Sequence, residues 1–366
     1  MKRIAQLLFC LVISVSVSSA ALAAGSIVIV TDKSPDAPFA HGLAYLEKTI
    51  KSQGYSIAAP DSKSPAALTI IIGDLSQNSE LKNKISALFK KQIPSKAQSF
   101  VETSAGKTIY AGGSDAVGAM YAAYDIAEQL EINGAAKLPA AIKNKSYQPL
   151  STIRAVNPFF QVEAFQDQNS WFYNDKYWET YLDELSLDRI NVIDIHAMYE
   201  LISTFFPNCY LYLLYSDNYP NVGVGKTQAE KNLNQFKKIV QMAKDRGIKT
   251  SLMSYHASYK LTDADKTPEP GDEELADYTS EMVAKLVKEV PDLFMTGFRI
   301  GESGRSEDFF KKSYLHGIDM SGRKINLFTR SWLASPSLVR SIAEAYPGLF
   351  VEIKYNGEQL GLPYHA

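Results

Sequence analysis

The chain has 366 residues, 46% of them hydrophobic and 21% charged, with a formal net charge of -2. That length exceeds one ordinary domain and accommodates two, and the apolar share excludes a disordered chain. The near-neutral balance gives no basis for binding nucleic acid or an anionic membrane.

Lys2 and Arg3 precede an apolar run over residues 4–17, and Ala21-Leu22-Ala23 offers small residues for cleavage. This is the order of a signal peptide, residues 1–23, and predicts a secreted or periplasmic protein whose mature chain starts near Ala24. A bilayer span wants about 20 strongly apolar residues, and the serines and alanines before Ala24 break the run, so no stable membrane insertion is expected. Cleavage removes Cys10 and leaves Cys209 alone. An internal disulfide and a zinc site built on cysteine pairs are thereby excluded from the mature chain.

Residues 27–30 read as a short buried strand, and Phe39, Leu43, Leu46 and Ile50 follow at helical spacing. Residues 68–72 form a second apolar strand and 81–89 a helix. Residues 100–102 and 108–111 flank Ser104-Ala105-Gly106, the pattern of a hairpin. Gly112-Gly113 then turns the chain into a helix capped by Ser114 or Asp115 and continuing to Leu130. Residues 24–132 are thus expected to form a small α/β domain. Residues 133–150, rich in Ala, Lys, Asn and Pro without a period, are expected to be a linker.

Beyond the linker, over 151–366, strands alternate with helices. The strands are expected at 153–156, 191–195, 249–253, 295–300, 324–328 and 349–354. The helices are expected at 177–187, 227–244, 274–289, 308–314 and 337–345. Regular βα alternation implies a parallel sheet, open or closed into a (β/α)8 TIM-type barrel. Polar and aromatic residues gather just after the strands: Asn157, His196, Tyr255, His256, Glu302, Arg330, Trp332 and Lys354. In a barrel that end carries the site, and in an open sheet the same residues would line a crevice.

Gly223-Val224-Gly225-Lys226-Thr227 resembles the end of a phosphate-binding loop, but Pro220 stands where a glycine is needed and no buried strand precedes it. Thr227 and Glu230 read better as a capping box opening the next helix. His196 and His256 lack a third ligand at metal-binding spacing, so no metal is expected; hydrogen bonds to a substrate and a structural place at the rim fit them equally. Glu302 stands in Gly301-Glu302-Ser303-Gly304, where glycines let a ligand approach the backbone. A carboxyl there suits a general acid, and a structural ion pair with Arg299 or Arg305 is the plainer alternative. Glu358 follows the sixth strand and supplies a second carboxyl within reach of the same face. Glycoside hydrolysis needs such a pair, although a solvated loop acid is the commoner fate of a single glutamate.

Four segments carry a family resemblance: TIYAGGSDAVGAMYAAYD at 108–125, PLSTIRAVN at 149–157, GFRIGESG at 297–304 and VEIKYNG at 351–357. Together they resemble glycoside hydrolase family 67, the α-glucuronidases, over nearly all of the mature chain. The first segment looks like the end of a small domain shared with β-N-acetylhexosaminidases. The resemblance implies an acid/base glycosidase with inversion, Glu302 as general acid and Glu358 as base, acting on a uronic-acid-containing or related oligosaccharide or polysaccharide without a cofactor. Arg305, Arg330 and Lys354 could hold a substrate carboxylate, because a guanidinium fork matches its geometry. Trp171, Trp332 and Tyr255 could stack on sugar rings, with Asn157, His196 and His256 adding hydrogen bonds.

The chain departs from the family where Asn157-Pro158-Phe159-Phe160 replaces a tryptophan-aspartate-asparagine run, which leaves the sugar open. An Asp-Glu pair after the fourth strand, expected of a β-N-acetylhexosaminidase, is missing at Gly301-Glu302. The alternative from another class is a carbohydrate-binding protein that kept the fold and lost the chemistry. A closed barrel needs eight strands and six are legible, so a longer reading frame supplying two more βα units is expected.

Overall fold

The computed structural model describes residues 25–62, 65–203 and 205–353. The expected signal peptide lies outside them. Among the described residues no helix is long and apolar enough to cross a membrane.

The chain begins with an open mixed sheet. β1 (Ser26–Val30), β2 (Ser56–Ala58), β3 (Leu68–Asp74), β4 (Phe100–Ala105), β5 (Thr108–Gly113) and β6 (Lys145–Tyr147) lie in the order β2-β1-β3-β5-β4-β6. The expected hairpin is present, with β4 and β5 antiparallel and Ala105 opposite Thr108. Helices α1 (Ala37–Ser52) and α3 (Ala116–Ala141) cover one face, and α2 (Ser79–Phe89) covers the other. Phe39, Leu43, Leu46 and Ile50 form the buried stripe of α1, as their spacing requires. The Asp115 carboxylate caps α3 by accepting from the Gly118 N–H at 2.7 Å. A Cβ on Gly113 would lie 1.9 Å from the Ala119 nitrogen, and one on Gly118 2.2 Å from the Ser99 carbonyl oxygen. The glycines of this segment therefore let the helix start directly against the strand ends.

The linker expected over 133–150 is not found. α3 continues to Ala141 through a kink at Gly134 (φ 66°), and β6 pairs antiparallel with β4. The buried Leu138 and Ile142 attach this stretch to the first core, and their apolar contacts outweigh the Ala, Lys, Asn and Pro composition that read as a linker.

The second part is a parallel sheet. β7 (Ala155–Val156) is followed by β8 (Phe159–Gln161), α4 (Asp175–Leu187), β9 (Val192–Ile195), β10 (Ala197–Tyr199), α5 (Tyr210–Leu213), α6 (Lys226–Lys244) and β11 (Lys249–Ser254). Next come α7 (Asp272–Glu289), β12 (Leu293–Phe298), α8 (Glu307–Phe310), α9 (His316–Ser321), β13 (Asn326–Arg330), α10 (Pro336–Ala345) and β14 (Leu349–Glu352). The strand order β14-β13-β12-β11-β9-β7 follows the chain, and every pairing is parallel. That is the wall of a curled (β/α) barrel, open among the described residues between β7 and β14. α6 opens from Gly225 with no side-chain cap, so Thr227 and Glu230 do not form the expected capping box; the helix starts two residues earlier than that box requires.

The two parts meet through polar contacts at the start of the barrel. Arg154 donates to Gln98 Oε1 at 2.7 Å and to the Arg189 carbonyl at 2.7 Å. Arg189 reaches back to Asp125 at 3.6 Å and lies 4.5 Å from the ring centre of Tyr147. Asp125 also takes Lys145 at 2.6 Å. Beside it Glu102 is fully buried, and neither carboxyl oxygen has a hydrogen-bond partner.

Burial pushes the Glu102 carboxyl well above the usual glutamate range, the Asp125 charge adds to this, and Lys145 and Arg189 oppose it. The consequence for stability has a definite sign. Below the unfolded value of about 4.3 the group is protonated in both states. As pH rises from there through the raised folded value, ionisation favours the unfolded chain and stability is lost. Glu102→Gln, which keeps the shape and cannot ionise, is therefore expected to be more stable than wild type at neutral pH. Urea midpoints at about pH 4 and about pH 8 check this: the advantage of the variant should grow with pH, and a constant difference would refute the account.

Candidate active site

Parallel strands deliver their last residues to one end of a barrel, and here those residues are charged. On β12, Phe298 stacks on Phe310 of α8 at 4.2 Å, so the next residue, Arg299, points the opposite way and is fully buried. Gly301 follows; a Cβ there would lie 2.2 Å from the Trp332 carbonyl oxygen, so only glycine brings Glu302 to this place. β13 ends on Arg330 and β14 on Glu352, which are neighbours in the strand register. Tyr255 stands just beyond β11, and Asp194 lies in β9.

These side chains form one network. Tyr255 donates its hydroxyl to Glu302 Oε1 at 2.5 Å. Arg330 donates to Glu352 Oε1 at 2.7 Å. The Arg299 guanidinium lies between the two carboxylates, 3.9 Å from Glu302 and 3.6 Å from Glu352. It also sits 5.4 Å from the Tyr255 ring centre. Asn157 donates to Asp194 Oδ2 at 3.0 Å, and His196 Nδ1 lies 3.4 Å from the same oxygen. A cavity of about 270 Å³ lined by Asn157, Asp194, Met295, Phe328 and Glu352 opens between the first and last strands. A larger one of about 850 Å³ lies at the opposite end, around Ile248, Pro291 and Ile325, where barrels place residues for stability rather than chemistry.

Arg299 is the uncommon feature. Its Nε, Nη1 and Nη2 are buried and none makes a hydrogen bond. Buried donors are normally satisfied, because leaving one bare costs about 1–3 kcal/mol and more for a charged group. Burial, helped by the Arg330 charge, lowers the pKa of Arg299 to about 10, so it is still cationic at neutral pH. Its enclosed N–H donors face Glu302 and Glu352 at ion-pair distance, and they put a positive charge beneath the mouth of the barrel. Burial also lowers the pKa of His196, against the pull of Asp194, and that of His256, against Glu302. Both rings are neutral at neutral pH and act as hydrogen-bonding groups.

The structure brings together Glu302, Tyr255, His256, His196, Asn157 and Arg330 of the residues expected from the sequence. Arg305 is engaged elsewhere, donating to Asp272 at 2.6 Å and to the Ala257 carbonyl at 3.1 Å. Trp171 is committed to packing: its ring meets Phe160, Tyr177 and Trp178, and its Nε1 donates to Gln161. Trp332 is 36% exposed on the loop that passes Gly301. Lys354 and Glu358 lie outside the described residues. Arg299, Glu352 and Asp194 are the groups that sequence reasoning did not place in the site. A charged residue within an apolar run at the C-terminal end of a strand is the signal all three share.

No protein-family model and no curated protein matches this chain. Solved structures do, glycoside hydrolases among them. A GH138 enzyme targeting pectin rhamnogalacturonan II has a TM-score of 0.71 and 19% identity, covering 90% of this chain and 48% of that one. CpGH84B has a TM-score of 0.54 and 12% identity over 91% of this chain and 53% of its own. A chitobiase of Flavobacterium johnsoniae has 0.50 and 11%, over 89% and 51%. At such identities the likeness establishes the fold. The chain spans about half the length of these structures.

Proposed function

We propose that this chain carries the site of an exo-acting glycosidase that releases a uronic acid or related acidic sugar from an oligosaccharide. The observation that carries the reading is Arg299, a buried guanidinium without a hydrogen bond, standing between two carboxylates at the C-terminal end of a barrel sheet. The positive charge of Arg299, with Arg330 beside it, favours a substrate carboxylate at the mouth of the barrel. Glu302 is the general acid that protonates the leaving oxygen, oriented by the Tyr255 hydroxyl. Glu352, paired with Arg330 and facing Arg299, is the second carboxyl; Glu358, expected in that role from the sequence, is the alternative. Both carboxylates face one guanidinium, Glu302 at 3.9 Å and Glu352 at 3.6 Å, and inversion, which the family resemblance implies, would need them roughly 6.5–9.5 Å apart. Asn157, His196 and His256 hydrogen-bond the sugar hydroxyls. The basic, apolar and Ala-Leu-Ala order of residues 1–23 supports export. The GH138 neighbour, which targets rhamnogalacturonan II, makes pectic oligosaccharides the first substrates to try.

The test is product release. The protein is incubated with rhamnogalacturonan II oligosaccharides and with glucuronoxylan oligosaccharides, and free monosaccharides are separated by charge. Release of an acidic monosaccharide is expected from one of them. Binding of the oligosaccharides without release of any sugar would replace the enzyme reading by a carbohydrate-binding one.

A further inference from the structure

The mouth of the barrel carries a second feature that the catalytic roles leave unused. Beyond β7 and β9 the chain continues as β8 and β10, which pair with each other in parallel, Phe159 opposite Ala197 and Tyr199 opposite Gln161. Alternation sends Phe160 and Met198 inward, where both are fully buried. It leaves Phe159 and Tyr199 on the outer face. Phe206 joins them, 5.8 Å from Phe159 and 5.4 Å from Tyr199 between ring centres, and stacks on Tyr255 at 4.3 Å. Phe159 is 39% exposed although a large apolar ring gains by burial. Leu201, 52% exposed, and Ile202, 90% exposed, extend the apolar surface along the next loop.

We propose that Phe159, Tyr199 and Phe206 form a platform for the leaving sugar of the substrate, a pyranose that lays its C–H face on the rings. The orientation rests on the glycosidase reading. Tyr255 is the joint: it stacks on the platform at one side and donates to Glu302 at the other. Arg299, just beyond β12, lies against both Glu302 and the Tyr255 ring, and Arg330 ends β13, one strand further from the platform than Glu302. A general acid works on the oxygen between the two sugars, so an acidic sugar on the arginines places its leaving partner over the rings. The C–H bonds of a pyranose carry slight positive charge and meet the negative ring face, while its hydroxyls stay in water. The paired, inwardly anchored β8 and β10 hold the rings in place before binding, so little entropy is lost on contact.

The experiment compares a rhamnogalacturonan II oligosaccharide with a methyl uronoside, whose leaving group is too small to reach the platform. In Phe159→Ala the ratio of kcat/KM for the oligosaccharide to that for the methyl uronoside is expected to fall about tenfold, and Phe159→Tyr should restore it. A ratio within about twofold of wild type would overturn the platform. If wild type turns over neither compound, the glycosidase reading alone has failed, and the same oligosaccharide is titrated calorimetrically. A roughly tenfold weaker affinity in Phe159→Ala then supports the platform, while equal affinity, or no binding by wild type, overturns it.

Discussion

Glu302→Gln is expected to cut kcat on a natural oligosaccharide by roughly 10²–10⁴-fold, the range that general acid catalysis supplies. The amide fills the same space, and its carbonyl oxygen can still accept from Tyr255, so the change removes the transferable proton and little else. The loss should depend on the leaving group. A sugar alkoxide cannot depart without a proton, whereas a nitrophenolate departs unaided, so the deficit on a nitrophenyl glycoside should be far smaller. Glu352→Gln is expected to slow both substrates alike, because attack on the sugar is common to them. If Glu358→Gln does so instead, the second carboxyl is residue 358. Wild-type activity of Glu302→Gln on the oligosaccharide would remove the residue from the mechanism, and with it the main chemical ground for a glycosidase.

The second large effect is expected at Arg299. Removing one member of a buried, hydrogen-bonded charge pair costs about 2–5 kcal/mol of binding, so Arg299→Met should lower kcat/KM for an acidic glycoside by at least about 30-fold. The matching neutral glycoside and the methyl-esterified uronoside should lose much less, since they present no carboxylate. The same change leaves Glu302 and Glu352 without the cation between them, and the fold should lose about 3–5 kcal/mol. Urea unfolding measures that loss directly. Arg299→Lys guards against a variant that does not fold: it keeps the charge and loses the planar fork, so acidic substrates should still suffer more than neutral ones. An unchanged preference between acidic and neutral substrates in Arg299→Lys would show that this guanidinium does not read the carboxylate.

Local pattern carried much of the architecture. A strand of apolar residues, a helix with one buried stripe and a cap are decided within a few residues of each other. For that reason the β4–β5 hairpin, the Asp115 cap and the βα alternation after residue 150 are legible in the sequence. The place of Glu302 just after a strand was legible too, because a glycine-flanked carboxyl at a strand end depends only on its neighbours. Residues 133–147 were not. Their Ala, Lys, Asn and Pro content argues for a linker, and only the distant first core, which takes up Leu138 and Ile142, turns them into helix and strand. Trp171 and Arg305 went the same way: a tryptophan and an arginine near strand ends look like ligand groups until Trp178 and Asp272 arrive to claim them. Most of the site's electrostatics is tertiary. Arg299, Arg330 and Glu352 come from three strands, and Asp194 from a fourth. Which of them pair, and that Arg299 is buried with its donors unused, follows from parallel register bringing the strand ends together. Single-strand periodicity contains no such information, because a residue's partner across the sheet lies tens of residues away along the chain.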